Sequence, residues 1–242
     1  MHCFCFEPHG FEHNLPAVGK IHLGSILGTT ITLDFSFLIL VALFVMINLD
    51  RSKPQEALLW IPILFISILF HELAHAAMIG VFGYGPSQIV LQGVGGVTIN
   101  ERRARPWQDL FISAAGPASS LLLAWIVWLI YNRTPVGHHD PFLIALLPLL
   151  QLMNIIWAVF NLMPVSPLDG YGIVRNFLRM FLDERTAFKI AIWTSIIVGS
   201  LLILAALALK QFFPAVLLFW YVRSSYMQWQ FFRSIDRTND PS

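Results

Sequence analysis

Five consecutive residues, His71-Glu72-Leu73-Ala74-His75, carry the strongest chemical signal in the chain. Positions four apart share one face of a helix, so imidazoles at 71 and 75 can reach a single metal ion while Glu72 sits beside the water it activates. Zinc suits such a pair. It lowers the pKa of a coordinated water to about 7, and a carboxylate within hydrogen-bond reach takes the proton as that water attacks a carbonyl. A five-residue pattern also arises by chance, but the surroundings argue against chance here. Three ionisable groups inside an apolar stretch are costly unless they pair, bind metal or meet water.

Two histidines and a water leave zinc one protein ligand short of the usual catalytic set. The candidate is Asp169, in the stretch Asn161-Leu162-Met163-Pro164-Val165-Ser166-Pro167-Leu168-Asp169-Gly170. Its two prolines break a helix, free backbone to line a cavity and turn Asp169 inward. The competing reading makes Asp169 a cap for a helix beginning near Tyr171, with Gly170 supporting the turn.

These residues must be positioned by a chain whose composition is far from that of a soluble domain. Hydrophobic residues make up 57% of the 242 positions and charged residues 12%, against roughly 25% charged in soluble proteins. Mean hydropathy is +0.68. Lipid has to solvate that excess, and at about 20 residues per span no separate soluble domain of ordinary size fits. Six apolar segments stand out: about 35–49, 57–82, 110–131, 142–163, 187–209 and 212–226. The expected fold is an all-α polytopic membrane bundle of about six helices. A small membrane-associated β-hairpin is expected at Ser87–Gln92 and Gly93–Ile99, around a glycine-rich turn. The whole of 1–242 reads as one membrane-embedded domain, with a catalytic core over about 20–180 and C-terminal helices over about 187–230.

Lys and Arg between the spans set orientation. With six spans, eleven fall on one side and four on the other, which places both termini and the 83–109 and 164–186 connections in the cytoplasm. Span two exits there after His75 and span four just before Asp169, so topology brings the two to similar depth. The formal charge of +1 makes no case for nucleic acid. Cys3 and Cys5 cannot form a disulfide framework, and residues 1–20 show no signal-peptide pattern. His2, Cys3, Cys5, His9 and His13 are ligand types in a segment expected to fray. Asn154, on span four, is expected to make an interhelical hydrogen bond.

Taken together, the motifs resemble the site-2 protease family of intramembrane zinc metalloproteases. His71 to His75 matches its HExxH helix, and Asn161 to Gly170 matches its NxxPxxxLDG segment. Weaker matches lie at Gly28–Phe37, at the Gly95-Gly96 hairpin and at Ala115–Ser120, where Ser120 replaces the family's usual Asn. The resemblance implies one zinc ion held by His71, His75 and Asp169, with Glu72 as the base. It implies cleavage of transmembrane or membrane-anchored regulatory proteins, in the cell membrane of a prokaryote. Asn161 could donate a hydrogen bond to the oxyanion or bond another helix. Two rival readings are a non-catalytic homologue that binds membrane proteins and a zinc transporter. The intact Glu72 speaks against the first, and the lack of paired sites or repeats against the second.

Overall fold

A computed structural model describes residues 19–26, 28–50, 54–93, 95–100, 104–135 and 139–238. The N-terminal His2, Cys3, Cys5, His9 and His13 lie outside them, as do Arg51, Lys53, Arg102, Arg103 and His138. The chain divides into two compact units, one drawn from 1–104 and 122–154, the other from 105–121 and 155–242.

The first unit contains a four-stranded sheet in the order β1 (Lys20–Ile26), β2 (Thr29–Asp34), β3 (Gln88–Gln92), β4 (Gly95–Ile99). β3 and β4 are the expected hairpin, paired antiparallel with Leu91 opposite Gly96. The β1–β2 hairpin was not expected. β1 breaks its alternation with a register shift between His22 and Gly24, and the β-branched run of β2 merges with the apolar segment that follows it. β2 and β3 pair in parallel, which requires a long crossover between them. That crossover is made of α1 (Phe35–Ile47), α2 (Pro54–Ala57) and α3 (Trp60–Val81).

Local chemistry explains how the crossover starts. Asp34 caps α1 by accepting from the Ser36 N–H at 2.9 Å, and its two bonds from Ser36 hold the carboxyl below the ordinary Asp range. The Ser36 hydroxyl in turn accepts from the Gly93 N–H at 2.9 Å, tying the β3–β4 turn to the helix start. Ile89 and Leu91 of β3 are fully buried, and β3 packs on α1 and α3. α3 has 22 residues, about 33 Å at 1.5 Å per residue. Its buried face runs through Leu64, Ile68, His71, His75 and Ile79.

Two helices, α4 (Pro106–Arg133) and α5 (Pro141–Asn161), have residues in both units. The second unit adds α6 (Asp169–Leu178), α7 (Glu184–Ala208) and α8 (Phe212–Thr238). α7 and α8 pack along each other. Gly199 permits the approach, since a Cβ there would stand 2.4 Å from Val222 Cγ2. Small residues at such contacts are the usual device for close helix packing in lipid.

Among the described residues, four helical stretches are long and apolar enough to cross a membrane: Pro54–Val81, Pro106–Arg133, Pro141–Asn161 and Glu184–Ala208. They correspond to the four central segments of the six expected. The first expected segment forms α1, whose 13 residues extend about 20 Å, short of a bilayer core of about 30 Å. The last forms α8, which continues past Tyr226 into the charged residues Arg233 and Asp236. Large apolar side chains stay exposed along the helices, among them Ile66, Trp125, Ile156, Ile197 and Leu201. The apolar helices mark a membrane protein.

Candidate metal centre

On α3, His71, Glu72 and His75 are all buried, at 2%, 5% and 7% exposure. The helix brings the two Nε2 atoms to 3.2 Å, with the rings edge to face at 77°. This spacing suits a shared cation, because two nitrogens about 2.0–2.1 Å from a tetrahedral zinc lie roughly 3.3 Å apart. One turn before His71, the fully buried Ser67 accepts a 2.9 Å hydrogen bond from Asn154 of α5. Asn154 also donates to the Leu150 carbonyl at 2.8 Å. It makes the interhelical bond expected of it, clamping the metal-site helix to its neighbour.

Glu72 is held from the sheet. The Thr98 hydroxyl of β4 lies 2.8 Å from Glu72 Oε2 and 3.2 Å from the Glu72 carbonyl oxygen. Two residues earlier on the same strand face, Gly96 leaves the room that the Glu72 side chain fills. A Cβ there would stand 2.3 Å from Cγ and 2.6 Å from both Cδ and Oε1.

Asp169 opens α6. The cap position belongs to Leu168, whose side chain makes no capping bond, so Asp169 is the first helical residue rather than the cap. A negative charge in that first turn also suits the helix dipole. The chain reaches it through tight turns, in which Val165 N–H donates to the Met163 carbonyl at 2.7 Å and Leu168 N–H to the Val165 carbonyl at 2.8 Å. Gly170 lets α6 begin against the end of α5, since a Cβ there would stand 2.2 Å from the Leu162 carbonyl oxygen. His71 and His75 of the first unit and Asp169 of the second are residues that could bind a metal ion, each offering one ligand atom. Two imidazoles and a carboxylate are a donor set suited to zinc.

A chain of hydroxyls holds the turn that precedes Asp169. Ser166 N–H donates to Ser195 Oγ at 2.8 Å, Ser195 and Ser225 hydroxyls are 2.8 Å apart, and Ser225 donates to the Tyr221 carbonyl at 3.0 Å. Each hydroxyl has one hydrogen. Ser225 therefore spends its own on Tyr221, and Ser195 must donate to Ser225. Gln228 adds a bond to Ser166 Oγ at 3.3 Å, and Val165 and Leu168 pack with Tyr221 in an apolar cluster.

Further along α6, Arg175 and Arg179 both pair with Glu184 of α7, and Arg179 also reaches Asp109 at 3.3 Å. Burial pushes the Tyr171 hydroxyl up to about 12. It stays neutral and packs with Phe188 and Ile192. Asn161 donates from Nδ2 to the Trp157 carbonyl of its own helix at 3.0 Å. Ser120 is fully buried on α4.

The sequence reading did not place Gly96 and Thr98 at the site, nor Ser195 and Ser225. For the strand pair a signal existed, since residues two apart on a strand share a face, although nothing local says which helix that face meets. For the serines there was none, as a buried Ser in an apolar helix looks like any small residue at a packing contact.

The Peptidase M50B-like family profile matches residues 36–213, and the chain belongs to that family. A zinc metalloprotease of Methanocaldococcus jannaschii is 27% identical over 172 residues, covering 71% of this chain and 49% of that protein. Stage IV sporulation protein FB of Bacillus subtilis is 27% identical over 135 residues, covering 55% of this chain and 45% of its own length. The chain thus spans about half the length of these curated relatives. Among solved structures, the site-2 protease from Methanocaldococcus jannaschii is similar in fold. Its TM-score is 0.62 at 24% identity, with 86% of this chain and 94% of that chain covered.

Proposed function

We propose that the chain is an intramembrane zinc endopeptidase that cleaves transmembrane or membrane-anchored regulatory proteins. The observation that carries this reading is the buried pair of imidazoles, 3.2 Å apart, with the buried Glu72 between them in sequence. His71, His75 and Asp169 would hold one zinc ion, which would supply the Lewis acidity to acidify a water and polarise a carbonyl. Glu72 takes the proton of the attacking water and delivers it to the leaving amine. Asn161 keeps a second N–H beside the one used on Trp157, and that hydrogen serves the developing oxyanion.

A helical substrate hides its carbonyls in its own hydrogen bonds, so it must unwind before attack. β4 stands at the edge of the sheet and carries the residue that bonds Glu72. An unwound segment pairs with that edge by β-augmentation. The catalytic core is about 20–180, within a single functional domain. Partners are the membrane-anchored substrate and the lipid bilayer, and no nucleic acid. The membrane is the cell membrane of a prokaryote, with both termini and the active-site opening cytoplasmic. The last point is tested by a cysteine at Phe181, which is 71% exposed in the α6–α7 connection. Polar reagents should label it from the cytoplasm, and labelling from the opposite face alone reverses the topology.

A transporter would be expected to carry paired sites. Among the described residues there is one metal-competent His/Cys/Asp/Glu group, and a general base beside it has no use in transport. The deciding experiment compares membrane proteomes of cells carrying the intact chain and Glu72→Gln, with zinc measured in both purified proteins. Fragments that disappear with Glu72→Gln while zinc content holds near one per chain support the protease. Unchanged proteomes with zinc bound would support a binding or transport role instead.

A further inference from the structure

A general base works only if one carboxylate oxygen is directed at the proton it removes, and a Glu side chain on a helix has three torsions to settle before that is so. α3 by itself settles none of them. Glu72 sits at its middle, and the hydroxyl that bonds its side chain belongs to a strand 26 residues later in the chain. That strand does two things at once. Thr98 Oγ1 stands 2.8 Å from Oε2, while the bare Cα of Gly96 leaves the space occupied by Cγ, Cδ and Oε1. The Thr98 hydroxyl is also 3.2 Å from the Glu72 carbonyl oxygen. It therefore touches the backbone and the tip of the same residue, which fixes the side chain relative to its own helix.

β4 can hold this position because it is itself held. It pairs with β3 through Leu91 opposite Gly96 and Ile89 opposite Thr98, and both of those β3 residues are fully buried. The alternation of the strand puts Gly96 and Thr98 on the face toward α3, while Val97 and Ile99 stay exposed.

We propose that Gly96 and Thr98 of β4 are the positioning residues of the Glu72 base: Thr98 restrains Oε2, and Gly96 provides the space that the carboxyl occupies. The inference rests on the reading of Glu72 as base. The Thr98 hydroxyl bonds Glu72, and the side chain acts through that residue. It follows that its removal lowers the rate of the chemical step rather than the binding of substrate or zinc. Misplacing a reacting group by about 1 Å costs on the order of 100-fold in rate.

The test uses the full-length, zinc-loaded chain and, as substrate, a membrane-anchored protein whose cleavage is lost with Glu72→Gln. Thr98→Val keeps the shape and removes the hydroxyl, and Thr98→Ser keeps the hydroxyl and removes the methyl. Thr98→Val should lower kcat by about 10- to 100-fold with KM and zinc content unchanged, and Thr98→Ser should restore most of it. Gly96→Ala should fall to the Glu72→Gln level with zinc still bound. Difference infrared spectra of Thr98→Val against wild type should show a shifted carboxylate stretch that is missing when both proteins also carry Glu72→Gln. Wild-type kcat in Thr98→Val, or a loss shared equally by kcat, KM and zinc content and not rescued by Ser, overturns the inference and leaves the protease reading standing. Cleavage that survives Glu72→Gln overturns the reading itself, whatever Thr98 does.

Discussion

His71 and His75 converge because four residues of helix put them on one face, whereas the placing of Asp169 depends on residues far along the chain. The first arrangement needs only that α3 be a helix. The second needs Ser195, 29 residues past Ser166, Ser225 beyond that, and Gln228, 62 residues past it, to hold a short turn. One half of the donor set is thus a property of a segment, and the other half a property of a packed unit. The lesson is that the two halves should fail differently under mutation. Changes on the exposed face of α3 should be tolerated, while changes remote from Asp169 should reach it.

The sharpest break is Asp169→Asn. Asn caps a helix about as well as Asp, so a purely structural role predicts little change. As a zinc ligand, its loss should exceed the roughly 10- to 100-fold that outer-sphere partners typically cost in metal affinity or activity. Zinc content after dialysis against a mild chelator checks this, with His71→Ala as the positive control. Full zinc retention with wild-type activity would remove Asp169 from the site.

Next in size is a pair of glycine replacements. At Gly170 a Cβ meets the Leu162 carbonyl oxygen at 2.2 Å, while at Gly80 on α3 it meets nothing within 4 Å. Gly170→Ala should displace the start of α6 and depress both zinc retention and cleavage. Gly80→Ala should leave both alone and add up to about 1 kcal/mol of helix stability. Thermal melting in detergent, read beside zinc content, checks the pair. Equal effects at the two positions would erase the distinction between segment and unit.

A smaller effect is expected from Ser195→Ala, which strands the Ser166 N–H and takes away the hydrogen that Ser225 accepts. An unsatisfied buried group costs about 1–3 kcal/mol. The loss should appear as a lower melting temperature together with weaker zinc retention, and a melting change alone would detach the serines from the site.

The smallest is Asp183, which caps α7 by accepting from the Thr186 N–H at 3.0 Å. That bond holds the exposed carboxyl below the ordinary value of 3.8. A group depressed in the folded state stabilises above its unfolded pKa and loses that contribution as pH falls through the folded one. The difference between wild type and Asp183→Ala should therefore be constant near neutral pH, begin to shrink as pH falls below the ordinary value of 3.8 and be lost once pH has passed the lower folded value, with zinc retention the same in both.

Much of this protein was legible in its amino acids. The spacing of His71, Glu72 and His75, the apolar runs of four candidate spans and the β3–β4 hairpin all follow from short-range rules, because a helix repeats every 3.6 residues and a strand every two. The Asn161–Gly170 stretch was recognisable for the same reason, its prolines and glycine being local punctuation. Only the tertiary structure decided the rest. That β1 and β2 join the sheet, that α1 is short, that Thr98 meets Glu72, and that Ser195 and Ser225 hold the turn before Asp169 are pairings between distant segments. Such pairings are chosen by which surfaces bury one another and which buried polar groups find partners, and no window of neighbouring residues contains that choice.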